Sequence, residues 1–177
     1  FRGCGESKED LHDLSISDWL QDLDEAILTF RKETNISKCL LWGIRFGAGL
    51  SILYEHSRKN IDGLILWQPV LDFSIYFKQF FRQPIYSQIL KGQKNDISRK
   101  FEKELYRKGI THVIGYPITK LFSDSFINLD DQPFQVVPSV PVIILSISLM
   151  EQPISGIENY TNSLKAADLT VKFQHIT

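Results

Sequence analysis

Apolar positions along this 177-residue chain follow two alternating rhythms. From Ser15 to Lys32, Ile16, Trp19, Leu20, Leu23, Ile27 and Phe30 recur at the spacing of one helical face, with Asp18, Asp22, Asp24 and Glu25 between them. Ser15 with Asp18 predicts a capping pair at the start of that helix. Lys38-Cys39-Leu40-Leu41-Trp42, apolar after its lysine, and Leu64-Ile65-Leu66-Trp67 are short runs that read as buried strands. A helix over 45–58 separates them. The turn Ile61-Asp62-Gly63 introduces the second run, and Pro69 stops it, because proline has no N–H to pair. After a linker framed by Pro138 and Pro141, Val142 to Ile147 predicts a third strand. Ser155 to Ala167 predicts a helix and Leu169 to Gln174 a last strand. Strands that alternate with helices, and are apolar throughout, predict a mainly parallel sheet with helices on both faces.

The segment from Asp72 to Lys108 breaks this alternation. Phe73, Tyr76, Phe77, Phe80, Phe81 and Tyr86 recur among basic residues, which predicts two or three helices. The expected organisation is therefore a core made of 1–71 and 111–177, with 72–110 inserted as a helical cap or lid. Within the core, Thr111 to Tyr116 reads as a short extended piece, and Pro117-Ile118-Thr119 leads into a helix near 120–128. Between Lys78 and Lys108 nine bases face three acids, so the segment is +6 in a chain whose formal charge is −1. A solvated helical face explains that excess, and so does attraction of an anionic partner. The helical spacing of the aromatics favours a packed cap over a nucleic-acid surface.

The composition, 43% hydrophobic and 23% charged, is that of a soluble globular domain with a real core. No apolar run is long enough to span a bilayer. Cys4 and Cys39 form neither a disulfide framework nor a metal spacing. The opening residues have no signal-peptide pattern. These features lead us to expect a reduced, cytoplasmic protein. The chain also begins inside a motif and without Met, as a fragment would.

The chemistry concentrates at Gly43-Ile44-Arg45-Phe46-Gly47. A strand, a tight Gly-x-x-x-Gly turn and a helix form the setting in which α/β-hydrolases present a serine, in the pattern Gly-x-Ser-x-Gly. The glycines suit a strained turn in which the helix crosses close to the strand. Here the central residue is Arg45, whose guanidinium stays protonated and cannot attack a carbonyl. Arg2-Gly3-Cys4-Gly5-Glu6-Ser7 resembles the Arg-Gly-x-Gly-x-Ser loop that follows an early strand in the same fold, so the first strands of that fold are expected to lie before Phe1.

Leu41-Trp42-Gly43-Ile44-Arg45-Phe46-Gly47-Ala48, Leu66-Trp67-Gln68-Pro69-Val70 and Gly115-Tyr116-Pro117-Ile118-Thr119, in that order, resemble the exosortase A system-associated hydrolase, type 2. That family belongs to the α/β-hydrolase superfamily and is similar to serine aminopeptidase and lysophospholipase-like domains. The resemblance runs from Arg2 to about Ile147. It implies an α/β-hydrolase fold in a bacterial, cytoplasmic protein of an exopolysaccharide and protein-sorting system, with arginine at the elbow as the family's own habit.

A triad would need a nucleophile, an acid and a late histidine in that order. Ser51 lies two turns into the elbow helix, Ser7 suits turn formation, and Cys4 has no evident base. Glu151 and Asp72 are the weak acid candidates. Of His12, His56, His112 and His175, only His175 comes late enough, and it falls at the end of the last strand. No Lys-Ser/Thr follows the glycine turn to make a phosphate loop, and no His/Cys/Asp/Glu cluster has metal spacing, so neither a cofactor nor a metal is expected. Arg45 is the expected ligand-binding group, with Phe46 and Gln68 beside it. The ligand would be an anionic small molecule or an acidic saccharide. Pairing of Arg45 with Glu151 or Asp72 is the competing structural role. Two other functions stay open: an active esterase or thioesterase with an unrecognised nucleophile, and a non-enzymatic interaction protein docking through the basic cap.

Overall fold

The computed structural model describes residues 1–79, 97–113, 115–129, 132–149 and 151–177. The chain falls into two compact units, Phe1–Asp22 with Phe73–Leu129, and Leu23–Asp72 with Asp130–Thr177. Helix α1 (Ile16–Thr34) contributes to both. Its start is fixed by the expected pair. The Ser15 N–H donates to Asp18 Oδ2 at 2.8 Å, and the Ser15 hydroxyl donates to the same oxygen at 2.6 Å. That hydroxyl holds the Asp18 carboxyl below the usual carboxylate range, against the opposing effect of burial.

The second unit holds the sheet. β1 (Leu40–Ile44), β2 (Gly63–Trp67), β5 (Val142–Ile147) and β6 (Val171–Ile176) are adjacent in that order, and every pairing is parallel. Helices α2 (Phe46–Arg58) and α6 (Ser155–Ala166) are the crossovers between sequential strands. Leu64 and Leu66 from β2, Val142 and Ile144 from β5, Ala48 and Ile52 from α2, and Leu164 from α6 are almost fully buried and form the core. Leu40, Trp42 and Ile44 of β1 are instead exposed, Trp42 to 63%, with its ring parallel to that of Trp67 at 6.4 Å. The apolar run at 38–42 therefore makes a strand, but not the buried one expected of it. The strand also starts later, continuing through Gly43 to Ile44.

Two further polar contacts fix α2 in this unit. Tyr54 donates its hydroxyl to Asp24 Oδ1 at 2.8 Å, and Arg58 Nε donates to Asp24 Oδ2 at 2.7 Å. Burial raises the Asp24 pKa, yet these bonds and the Arg58 charge outweigh it and leave the carboxyl below its usual range. Glu55, almost fully buried, accepts from the Ser139 N–H at 3.0 Å and hydroxyl at 2.6 Å, tying α2 to the segment before β5.

The first unit is built around aromatics. Trp19, Phe73, Phe77, Phe122 and Phe126 are all buried, and their rings meet at centroid distances of 4.9–6.3 Å. Arg2 pins the opening loop to α1: its Nε donates to Asp22 Oδ1 at 2.6 Å, its backbone N–H to Asp22 Oδ2 at 2.8 Å, and its Nη2 to the Asp18 carbonyl at 2.8 Å. Residues 73–79 are helical, and α3 (Ile97–Lys108) and α4 (Lys120–Ile127) follow. The part of the expected cap at 80–96 lies outside the described residues. The extended piece expected at 111–116 is an antiparallel hairpin, β3 (Ile110–Val113) with β4 (Tyr116–Thr119). Pro117 sits inside β4, which a two-stranded hairpin tolerates because each strand has an open edge.

Candidate functional site at the Arg45 elbow

β1 ends at Ile44 and α2 begins at Phe46, so Arg45 alone makes the turn. Its backbone has φ 54° and ψ −114°, a region that glycine enters freely and other residues only under strain. Hydrogen bonds hold it there. The Arg45 N–H donates to the Trp67 carbonyl at 2.8 Å, and the Arg45 carbonyl accepts from Ala48, Gly49 and Val70 at 3.1–3.3 Å. The end of β2 and the loop after it are thus fastened to the elbow.

Gly43 and Gly47 serve this turn differently. A Cβ on Gly43 would strike the Ala48 backbone and the Gly47 carbonyl, as the sequence suggested. A Cβ on Gly47 would meet nothing within 4 Å, so the close approach rests on Gly43 alone.

The Arg45 side chain is exposed, and among the described residues it forms no ion pair. Neither Glu151, which is exposed, nor Asp72, which is half-buried, is joined to it by a salt bridge. The Arg45 side chain makes no capping bond to the start of α2. A 13-residue helix therefore opens beside a guanidinium, and its first N–H groups and its dipole favour negative charge at the same end.

Gln68 also has positive φ, 48°, directly after β2. Its side chain is buried. Oε1 accepts from the Ile147 N–H at 2.7 Å, and the Gln68 backbone N–H donates to the Leu145 carbonyl at 2.7 Å. It bridges the carboxyl ends of β2 and β5, a tie that no local pattern in the sequence reveals. Phe46 is half-buried in the first turn of α2.

The remaining serine candidates are engaged in local bonds. The Ser51 hydroxyl is buried and donates to the Gly47 carbonyl at 2.8 Å. The Ser7 hydroxyl closes a turn with the N–H and carbonyl of Cys4. His175 lies within β6, beside Ser146 of β5, whose side chain is fully buried. No group of His, Cys, Asp and Glu able to hold a metal occurs among the described residues. Among them, no helix is long and apolar enough to cross a membrane.

This architecture recurs in solved structures of α/β-hydrolases. Est1E from Butyrivibrio proteoclasticus, solved with ferulic acid bound, aligns with 99% of this chain at TM-score 0.66 and 16% identity. The monoacylglycerol lipase of Paleococcus ferrophilus aligns with 99% at TM-score 0.55 and 17% identity. An alpha/beta fold family hydrolase from Bacillus anthracis str. Sterne aligns with 100% at TM-score 0.55 and 15% identity. The chain spans 64% of the first of these proteins and 71% and 72% of the other two. No protein-family model and no curated protein matches the sequence. At these identities the likeness establishes the fold: an α/β-hydrolase fold with a mainly parallel sheet flanked by helices.

Proposed function

We propose that this chain is a degenerate α/β-hydrolase in which Arg45 has replaced the nucleophile and the elbow binds an anionic ligand. The observation that carries the reading is an exposed arginine held at the strained turn before α2, with no ion pair among the described residues. A guanidinium there offers two parallel donors to a carboxylate or phosphate. The helix start adds backbone donors and a favourable dipole. An acidic saccharide suits both, and the resemblance of the elbow and Trp-Gln-Pro motifs to the exosortase-associated family supports a cytoplasmic role in an exopolysaccharide system. In this reading Gln68 holds the rim of the site rigid while Phe46 shapes it.

Serine-directed chemistry is then absent. A fluorophosphonate probe and a p-nitrophenyl ester test this together. The proposal expects neither labelling nor turnover above the uncatalysed rate. Ester turnover abolished by the probe would establish an active serine and overturn the degenerate reading.

A further inference from the structure

A cavity of about 430 Å³ opens within the second unit between the loop after β2, the short helix α5 (Gln132–Gln135) and one side of α6. That volume falls within the range of small-molecule sites, roughly 300–1,000 Å³. Phe134 and Tyr160, both buried, supply aromatic surface. Gln135, Asn159 and Ser163 are exposed polar side chains along it, and Asp72 is the one ionisable carboxylate among the described lining residues. Among the described residues, no lysine, arginine or histidine lines it. This is chemistry unlike that of Arg45. Amides and a hydroxyl offer both donors and acceptors, a carboxylate accepts only, and among the described lining residues an anion would find no cation.

Gly156 supplies a separate observation. It lies in the first turn of α6 and lines the cavity, yet a Cβ there would meet nothing within 4 Å, and its φ is not positive. Neither packing nor backbone conformation demands glycine. In a helix it costs roughly 0.5–1 kcal/mol relative to alanine. With no side chain, Gly156 puts nothing beyond its backbone into the cavity it lines.

We infer that this cavity is a binding site for a neutral, hydroxyl-rich ring, a sugar or polyol, whose hydroxyls meet Asn159, Gln135 and Asp72 while its apolar face lies against Phe134 and Tyr160. The site is independent of the anion site at Arg45 and requires no catalytic activity. Maltose serves as the probe, read by the backbone amide resonances of Gly156 and Asn159. The expected result is saturable shifts in the millimolar range. Gly156→Leu places a branched apolar side chain in the cavity, its Cβ meeting no atom within 4 Å, and replaces a poor helix former, so it should fold and weaken maltose binding at least tenfold. Asn159→Leu should weaken it several-fold, and Arg45→Gln should leave it unchanged. Three results would overturn the inference: no saturable shift with maltose, maltose binding that survives in both Gly156→Leu and Asn159→Leu, or tighter binding of methylamine than of maltose, which would make Asp72 the centre of a cation site.

Discussion

Replacing Arg45 with glycine separates a ligand-binding arginine from a structural one by the sign of a stability change. Arg45 occupies φ 54° and ψ −114°. A non-glycine residue in so sparse a region costs on the order of 1–3 kcal/mol. Glycine removes that cost but gives the unfolded chain more freedom, which returns about 0.4–1 kcal/mol. The backbone bonds at the turn, from Arg45 N–H to Trp67 and from Ala48, Gly49 and Val70 to the Arg45 carbonyl, do not depend on the side chain. The exposed guanidinium has no ion pair to lose among the described residues. The net expectation is that Arg45→Gly is stabilising, by about 0–2 kcal/mol. Urea denaturation followed by tryptophan fluorescence measures it, with an unchanged slope as the check that both proteins unfold from the same state. Destabilisation by more than about 1 kcal/mol would mean that the arginine holds the fold together, as an arginine leaving a partnered acid behind would.

Four further outcomes follow from the same geometry. Gly43→Ala should destabilise by about 3 kcal/mol or prevent folding, because its Cβ meets backbone that cannot yield, whereas Gly47→Ala should be neutral or stabilising by up to about 1 kcal/mol; equal losses at the two positions would refute this account of the turn. Arg2→Ala should cost roughly 1.5–3 kcal/mol in thermal or chemical denaturation, since charge-assisted bonds to Asp22 and the Asp18 carbonyl are lost together. Asp18 and Asp24 both have pKa values lowered by folding, so their stabilisation is present above the ordinary value of 3.8 and is lost as pH falls below it. A pH titration of stability should show that loss, and Asp24→Asn should flatten part of it.

The parallel sheet was legible because β1, β2 and β5 are compact apolar runs between helical periods, and continuous apolarity is what a strand inside a parallel sheet requires; β6, Val-Lys-Phe-Gln-His-Ile, alternates instead. Burial was not legible strand by strand: Leu40, Trp42 and Ile44 share the composition of β2 yet are exposed on β1, the edge of the described sheet. The β3–β4 hairpin was missed because Pro117-Ile118-Thr119 reads as the lead-in to the next helix, whereas a two-stranded hairpin accommodates proline at an open edge. At the elbow, the glycine spacing announced the turn, but only coordinates distinguish Gly43, wedged against Ala48, from Gly47, which faces open space. Gln68 carries no sequence signal for its bridge to Ile147, since that contact joins strands 79 positions apart and depends on the sheet already being formed. The pairing of Arg2 with Asp22 is equally non-local in origin, set by where the opening loop meets α1.

The central claim, that Arg45 binds an anion, is tested most directly by calorimetric titration of glucuronate into the native protein and into Arg45→Gln at matched ionic strength. Charge-assisted hydrogen bonds contribute about 1.5–3 kcal/mol, so the substitution should weaken binding roughly 10- to 100-fold while leaving the fold intact. Equal affinity in the two proteins, or no binding by either, would contradict the account.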